Sequence, residues 1–152
     1  MIGTMSGAGA LASLLDLIAA ILVREPTAEH RFETRRDSQL ARVRGYIQEN
    51  LADPRLSPKT IATAHHMSVR SLHRLFAGQD TTVASWIRNQ RLERCRHDLT
   101  DPALRDRPIH AIAGRWGFPS HAHFTRAFRT AYGMSPLEHR HGYGPPRPAR
   151  RS

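Results

Sequence analysis

Two short stretches of this 152-residue chain concentrate side chains that can recognise a patterned, hydrogen-bonding partner. The first holds Arg70, His73 and Arg74; the second holds His121, Ala122, His123 and Arg126, with Thr125 beside them. An arginine fork can pair bidentately with a guanine edge, and a histidine can donate to guanine or accept from adenine. On one isolated helix such residues would read as a solvated face. Here the two stretches match one another, and the match extends well beyond them.

The first copy reads Ile61-Ala62, His66, Ser68, Leu72, Arg74, Phe76; the second reads Ile112-Ala113, Gly117, Ser120, Phe124, Arg126, Phe128. The Ile-Ala pairs lie 51 residues apart and the serines and later positions 52 apart, the extra residue falling where Phe118-Pro119 stands against Met67. Each copy has the grammar of a helix-turn-helix. A small alanine sits where a second helix must cross closely. The turn follows four residues later, at Gly117, which accepts a left-handed backbone at little cost, or at His66, which tolerates it better than most residues. A serine then caps the second helix. Leu72 with Phe76, and Phe124 with Phe128, repeat at i, i+4 and face inward, so the stretches named above face outward. A recognition helix presents such positions to the DNA major groove.

The rest of the sequence must position these two units. Leu40, Val43, Ile47 and Leu51 form an apolar stripe that predicts a helix over 40–51, stopped by Asp53-Pro54. Ser57-Pro58 opens a helix to about His65, and Ser68 caps one to about Phe76. A long helix is expected from Val83 to Leu99, with Val83, Trp86, Ile87, Leu92, Cys95 and Leu99 inward, supplying a core that both units share. Pro108 opens a helix to about Trp116, Ser120 caps one to Tyr132, and Ser135-Pro136 opens a last short one. The strut over 83–99 would be about 25 Å long at roughly 1.5 Å per residue, of the order needed to hold two readers about one DNA turn apart, roughly 34 Å. The expected fold class is all-α: two helix-turn-helix subdomains joined by a long linker helix, preceded by an isolated amphipathic N-terminal helix.

Before this region, residues 8–23 are mostly apolar, with Leu11, Leu14, Leu15, Ile18, Ile21 and Leu22 at helical spacing. No basic residue precedes Arg24, the run is short for a span, and it contains Asp16, so an amphipathic helix over 1–24 that needs a partner surface is expected; a cleaved signal peptide is the alternative. Residues 25–39 are polar and aperiodic and read as a linker. The tail over 141–152 is rich in Gly, Pro and Arg and reads as basic and disordered.

Charge points the same way. The formal net charge is +10; residues 1–37 carry −1, leaving +11 on the remainder, and Lys59 is the only lysine. An arginine-rich basic domain suits a nucleic acid. The single cysteine, Cys95, excludes an internal disulfide framework and a cysteine-rich zinc site, and fits a reducing, cytoplasmic setting. Cys95 falls among apolar positions, as a core residue does.

The segment Ile112-Ala113, Gly117-Phe118, Ser120, Phe124, Arg126, Phe128-Arg129, Gly133-Met134-Ser135-Pro136, Arg140 resembles the signature of the AraC/XylS family of bacterial transcription regulators, over about Leu40 to Arg140. His139 departs from the aromatic usual before the arginine, and His66 from the usual turn glycine. The resemblance implies a DNA-binding domain over 40–140. It carries base and phosphate contacts onto Arg70, His73 and Arg74, and onto His121, Ala122, His123 and Arg126. Ala122 departs from the larger polar residues often found there. Arg88 resembles a backbone-contacting position. The resemblance also implies an activator, double-stranded DNA and RNA polymerase as partners, no cofactor and no bound metal. Residues 8–23 resemble the last dimerisation helix of an N-terminal domain otherwise absent, which implies a homodimer or pairing with a paralogue.

Three other readings compete. An enzyme is disfavoured because neither His65-His66 nor His121-x-His123 has a carboxylate at ligand spacing. A truncated regulator acting mainly as a protein-interaction or dimerisation module is kept open by the apolar run at 8–23. RNA binding lacks the aromatic platforms of an RNA-binding sheet.

Overall fold

The structure, a computed structural model, describes residues 7–22 and 27–142. Helices account for its regular structure, and no strand occurs among the described residues. The chain divides into two compact units, residues 1–37 and 38–152.

The first unit holds α1 (Gly7–Leu22) and the start of the helix that follows it. All the large apolar side chains of its stripe are exposed, from Ile18 at 46% to Leu22 at 79%. No helix among the described residues is long and apolar enough to cross a membrane.

The next helix, α2 (Ala28–Glu49), corrects one expectation. Residues 28–39, read as an aperiodic linker, are helical. Thr27 begins the helix by accepting the amide of His30 at 3.4 Å, and Glu29 sits in the first turn, where a negative charge suits the helix dipole. Every described residue from Thr27 to Gln39 is exposed, so no apolar period marks this stretch. Good helix formers such as Ala28, Glu29, Arg31, Glu33, Arg35 and Arg36 carry it instead. The expected stripe then holds: Leu40, Val43 and Ile47 are buried, and so is Leu51 just past the helix end.

The remaining elements of the second unit are α3 (Pro58–Ala64), α4 (Val69–Phe76), α5 (Val83–Thr100), α6 (Ile109–Arg115), α7 (His121–Tyr132) and α8 (Pro136–Gly142), with a single 3-10 turn over Pro102–Leu104. Their starts are chemically fixed. Ser57 and Thr60 form a reciprocal capping box on α3. Ser68, Thr82 and Ser120 accept the amides of Ser71, Ser85 and His123 at 3.0, 3.1 and 3.3 Å, capping α4, α5 and α7. Pro108 precedes α6 without a side-chain cap. The tail expectation is corrected at its edge, because His141 and Gly142 belong to α8; residues 143–152 lie outside the described residues.

The core is not the one shared core expected from α5. It forms two clusters. Val83 and Ile87, from the first half of α5, join Leu40, Ile47, Ile61, Leu72 and Phe76. Leu92, Cys95 and Leu99, from the second half, join Ile112, Phe118, Phe124 and Phe128. The helix is amphipathic in two offset stretches, one per helix-turn-helix, and the half-buried Trp116 packs against both clusters. At 18 residues, α5 is about 27 Å long.

Candidate nucleic-acid interface

Both turns are built alike, down to the backbone. In the first, His66 adopts φ +53°, its amide donates to Thr63 O, and the Met67 amide donates to Ala62 O at 3.0 Å. In the second, Gly117 adopts φ +82°, its amide donates to Gly114 O, and the Phe118 amide donates to Ala113 O at 3.0 Å. This is the Schellman pattern, which ends a helix on a left-handed residue and redirects the chain. Ala62 and Ala113 are almost fully buried at these turns, where a larger side chain would hold the second helix away. Histidine in the left-handed region carries a steric cost that glycine escapes.

The turns deliver α4 and α7 with one face in and one face out. On α4, Leu72, Leu75 and Phe76 are buried, whereas Arg70, His73 and Arg74 are exposed. On α7, Phe124 and Phe128 are fully buried, whereas His121, Ala122, His123 and Arg126 are exposed. Thr125 differs: it is half-buried, and its Oγ1 is enclosed without a hydrogen-bond partner among the described residues. Neither helix contains an acidic residue, so nothing within α4 or α7 offsets the arginines. The His123 ring lies 6.2 Å from Phe118, tying the start of α7 to the second core. At its far end α7 is anchored by Tyr132, which donates to Glu93 Oε2 at 2.9 Å while Arg96 lies over its ring. The Arg96 hydrogen bonds, and secondarily that of Tyr132, hold the Glu93 carboxyl below the usual carboxylate range.

The structure brings Arg88 next to the first reader. Arg88 and His73 line one open cleft of about 780 Å³, together with Thr82, Ser85 and Asn89 at the start of α5. Sequence reasoning did not reach Thr82, Ser85 or Asn89. The cap at Thr82 was a usable signal, because it fixes where α5 begins and which of its residues stand beside α4.

Among the described residues no group of three or more His, Cys, Asp or Glu side chains could hold a metal ion. Cys95 is fully buried, and burial, with Asp98 nearby, pushes its thiol up to about 12, so it stays protonated. Asp98 itself accepts Trp116 Nε1–H at 2.7 Å, a structural bond between α5 and the end of α6.

These features define a double helix-turn-helix domain, and comparison with known proteins agrees. The helix-turn-helix domain family matches residues 61–142. The transcriptional activator NphR of a Rhodococcus species is 34% identical over 124 residues, 82% of this chain and 36% of that protein. The XylDLEGF operon transcriptional activator of Pseudomonas putida is 34% identical over 133 residues, 86% of this chain and 39% of that protein. Among solved structures, an AraC-type transcriptional regulator from Chromobacterium violaceum superposes with a TM-score of 0.65 at 28% identity, over 72% of this chain and 96% of that one. The DNA-binding domain of AdpA, solved with a target DNA, gives 0.60 at 28% identity over 68% and 91%. The chain belongs to the AraC/XylS helix-turn-helix family and carries its DNA-binding domain. It spans under two-fifths of the length of the two activators just named.

Proposed function

We propose that this chain is a sequence-specific transcription regulator, an activator, that seats α4 and α7 in successive major grooves of one asymmetric double-stranded site. One observation carries the reading: two acid-free helices with exposed arginine and histidine faces follow the same Schellman turn and pack on opposite halves of one 18-residue strut. Arg70, His73 and Arg74 then read one groove. His121, His123 and Arg126 read the next, with Ala122 offering a methyl contact, Thr125 at the margin and Arg88 on the phosphate backbone. The function is binding rather than catalysis, exercised in the bacterial cytoplasm with RNA polymerase as the downstream partner. The names of the similar activators support the direction of regulation. Selection of sites from random duplex DNA, followed by footprinting, tests this. Protection of two major-groove segments about one turn apart on one face is expected; a palindromic site with only one segment read per chain would overturn it.

The exposed stripe of α1 supports a second partner, another copy of this chain or a paralogue. Leu11 and Ile18, Leu14 and Ile21, and Leu15 and Leu22 are each seven residues apart, the spacing at which two helices can pair along a seam. Size-exclusion chromatography with light scattering, with and without residues 1–24, tests this: a dimer that becomes a monomer on truncation is expected, and a monomer in both excludes it.

A further inference from the structure

Arg91 stands in the middle of α5, between Ile87 of the first core and Leu92 of the second. Its Nε donates to Leu51 O at 2.9 Å and its Nη2 to Asp53 O at 2.7 Å. Both acceptors lie in the turn that follows α2, so the guanidinium bonds to the backbone of the chain leaving that helix. The same guanidinium lies against the second turn: a Cβ placed on Gly117 would come within 2.8 Å of Arg91 Cζ and 3.0 Å of Nε and Nη2. One side chain on the strut therefore touches the corner of the first helix-turn-helix unit and the turn of the second.

We infer that Arg91 is a positioning residue that fixes the second turn against the first unit, and thereby sets the spacing at which α4 and α7 meet DNA. This inference rests on the two-groove reading above. It explains why the two turns differ. Left-handed backbone alone does not demand glycine in this motif, because His66 holds φ +53° in the first copy. At residue 117 a Cβ would add to the left-handed strain a clash with the guanidinium, which its two carbonyl hydrogen bonds hold in place. Arg94 reinforces the junction one turn on, donating to Gln48 Oε1 at 3.2 Å while lying 5.6 Å from the centre of the Trp116 ring. A lysine cannot reproduce the arrangement, since an ammonium has neither the planar fork for two carbonyls nor a flat face for the glycine.

The test compares the full chain with Arg91→Lys and Arg91→Met on three probes. The first is the duplex selected by the full chain from random DNA. The second carries one or two extra base pairs between the protected segments. The third carries either segment alone. Circular dichroism confirms folding of each variant, and Arg91→Lys serves where Arg91→Met does not fold. The wild-type chain is expected to lose affinity steeply on insertion. The variants should bind single segments as the wild type does, bind the complete duplex about tenfold more weakly because the second contact is no longer pre-placed, and lose less on insertion. Gly117→Ala should reproduce this loss of spacing discrimination, whereas His66→Ala, which adds no Cβ, should not. A folded Arg91→Lys with wild-type affinity and an undiminished spacing penalty overturns the inference. So does equal weakening on single segments and on the complete duplex, which is what a general stability or contact role produces. A wild-type chain indifferent to insertion overturns the two-groove reading first, and the inference with it.

Discussion

Phe128→Ala and Arg126→Ala lie two residues apart on α7, yet they should fail in opposite ways. Phe128 is fully buried, with ring centres of Tyr132 at 4.6 Å, Phe124 at 5.6 Å and His139 at 5.7 Å. Two of these neighbours are on its own helix and the third is on α8, so the walls of the hole cannot close without moving helices. A phenylalanine truncated in such a site costs about 3–5 kcal/mol. A domain of this size has a total stability of about 5–15 kcal/mol, so the variant sits near the edge of folding. Arg126 is exposed on the opposite face. Its loss should leave stability within about 0.5 kcal/mol and weaken specific DNA binding by about 1–3 kcal/mol, which is roughly five- to 150-fold. Urea titration followed by circular dichroism measures the first effect, and fluorescence anisotropy on the selected duplex the second. A wild-type urea midpoint for Phe128→Ala would show that the buried face has been misassigned. Wild-type affinity for Arg126→Ala on the selected site would show that α7 does not present this face to DNA.

Affinity should fall linearly with the logarithm of salt concentration, and Arg88→Ala should reduce that slope by about 1 without changing sequence preference; an unchanged slope in an anisotropy titration removes Arg88 from the backbone contacts. His66→Gly should raise stability by up to about 1 kcal/mol, because the left-handed position then carries no Cβ and the exposed imidazole leaves no hole; a lower urea midpoint would mean that the ring makes contacts this reasoning neglects. His65 should make the fold acid-sensitive. Burial first, then Arg42 and His66, hold its pKa below the ordinary value of 6.5, and its Nε2 is enclosed without a hydrogen-bond partner among the described residues. The unfolded chain then takes up more protons than the folded one in the window below 6.5, so the contribution is complete above that value and is lost as pH falls through the window. Urea midpoints should drop between neutral and mildly acidic pH, by less in His65→Gln; an identical drop in that variant would assign the effect elsewhere.

The legible parts of this fold were those written as a repeat. Ile61-Ala62 and Ile112-Ala113, the serine caps and the i, i+4 aromatic pairs each have a local physical meaning, so two copies of the pattern located both turns and both outward faces. What stayed hidden depends on contacts far apart in sequence or on the lack of any. The first turns of α2 are exposed on all sides and show no apolar period, so in the sequence their polarity reads as coil. The division of α5 between two cores cannot be read from its stripe, because Ile87 and Leu92 differ only in which neighbours reach them. The sequence places Arg91 on the strut but does not say what it touches. Its role comes from Leu51 and Asp53, 40 and 38 residues away, and from the glycine packed on its guanidinium. Thr125 lies on the boundary between faces, where a helical wheel cannot decide burial.

On the proposed two-groove reading, unequal copies of one motif give the molecule a direction. A symmetric dimer of single helix-turn-helix units presents the same reader twice and so favours a palindrome. Here the first reader offers two arginines and a histidine, and the second offers two histidines, an alanine and one arginine. Arginine is a donor only, whereas a neutral histidine carries one donor and one acceptor and can meet either purine. If α4 and α7 read DNA as proposed, the α4 half favours acceptor-bearing base edges, guanine above all, while the α7 half tolerates more base identities for the same geometry. Such a division makes α7 dependent on where α5 holds it, because fewer of its own contacts can fix its register. On that reading the junction of Arg91, Arg94 and Trp116 serves the reader with fewer base contacts of its own, since the Arg91 guanidinium packs on the glycine of the second turn.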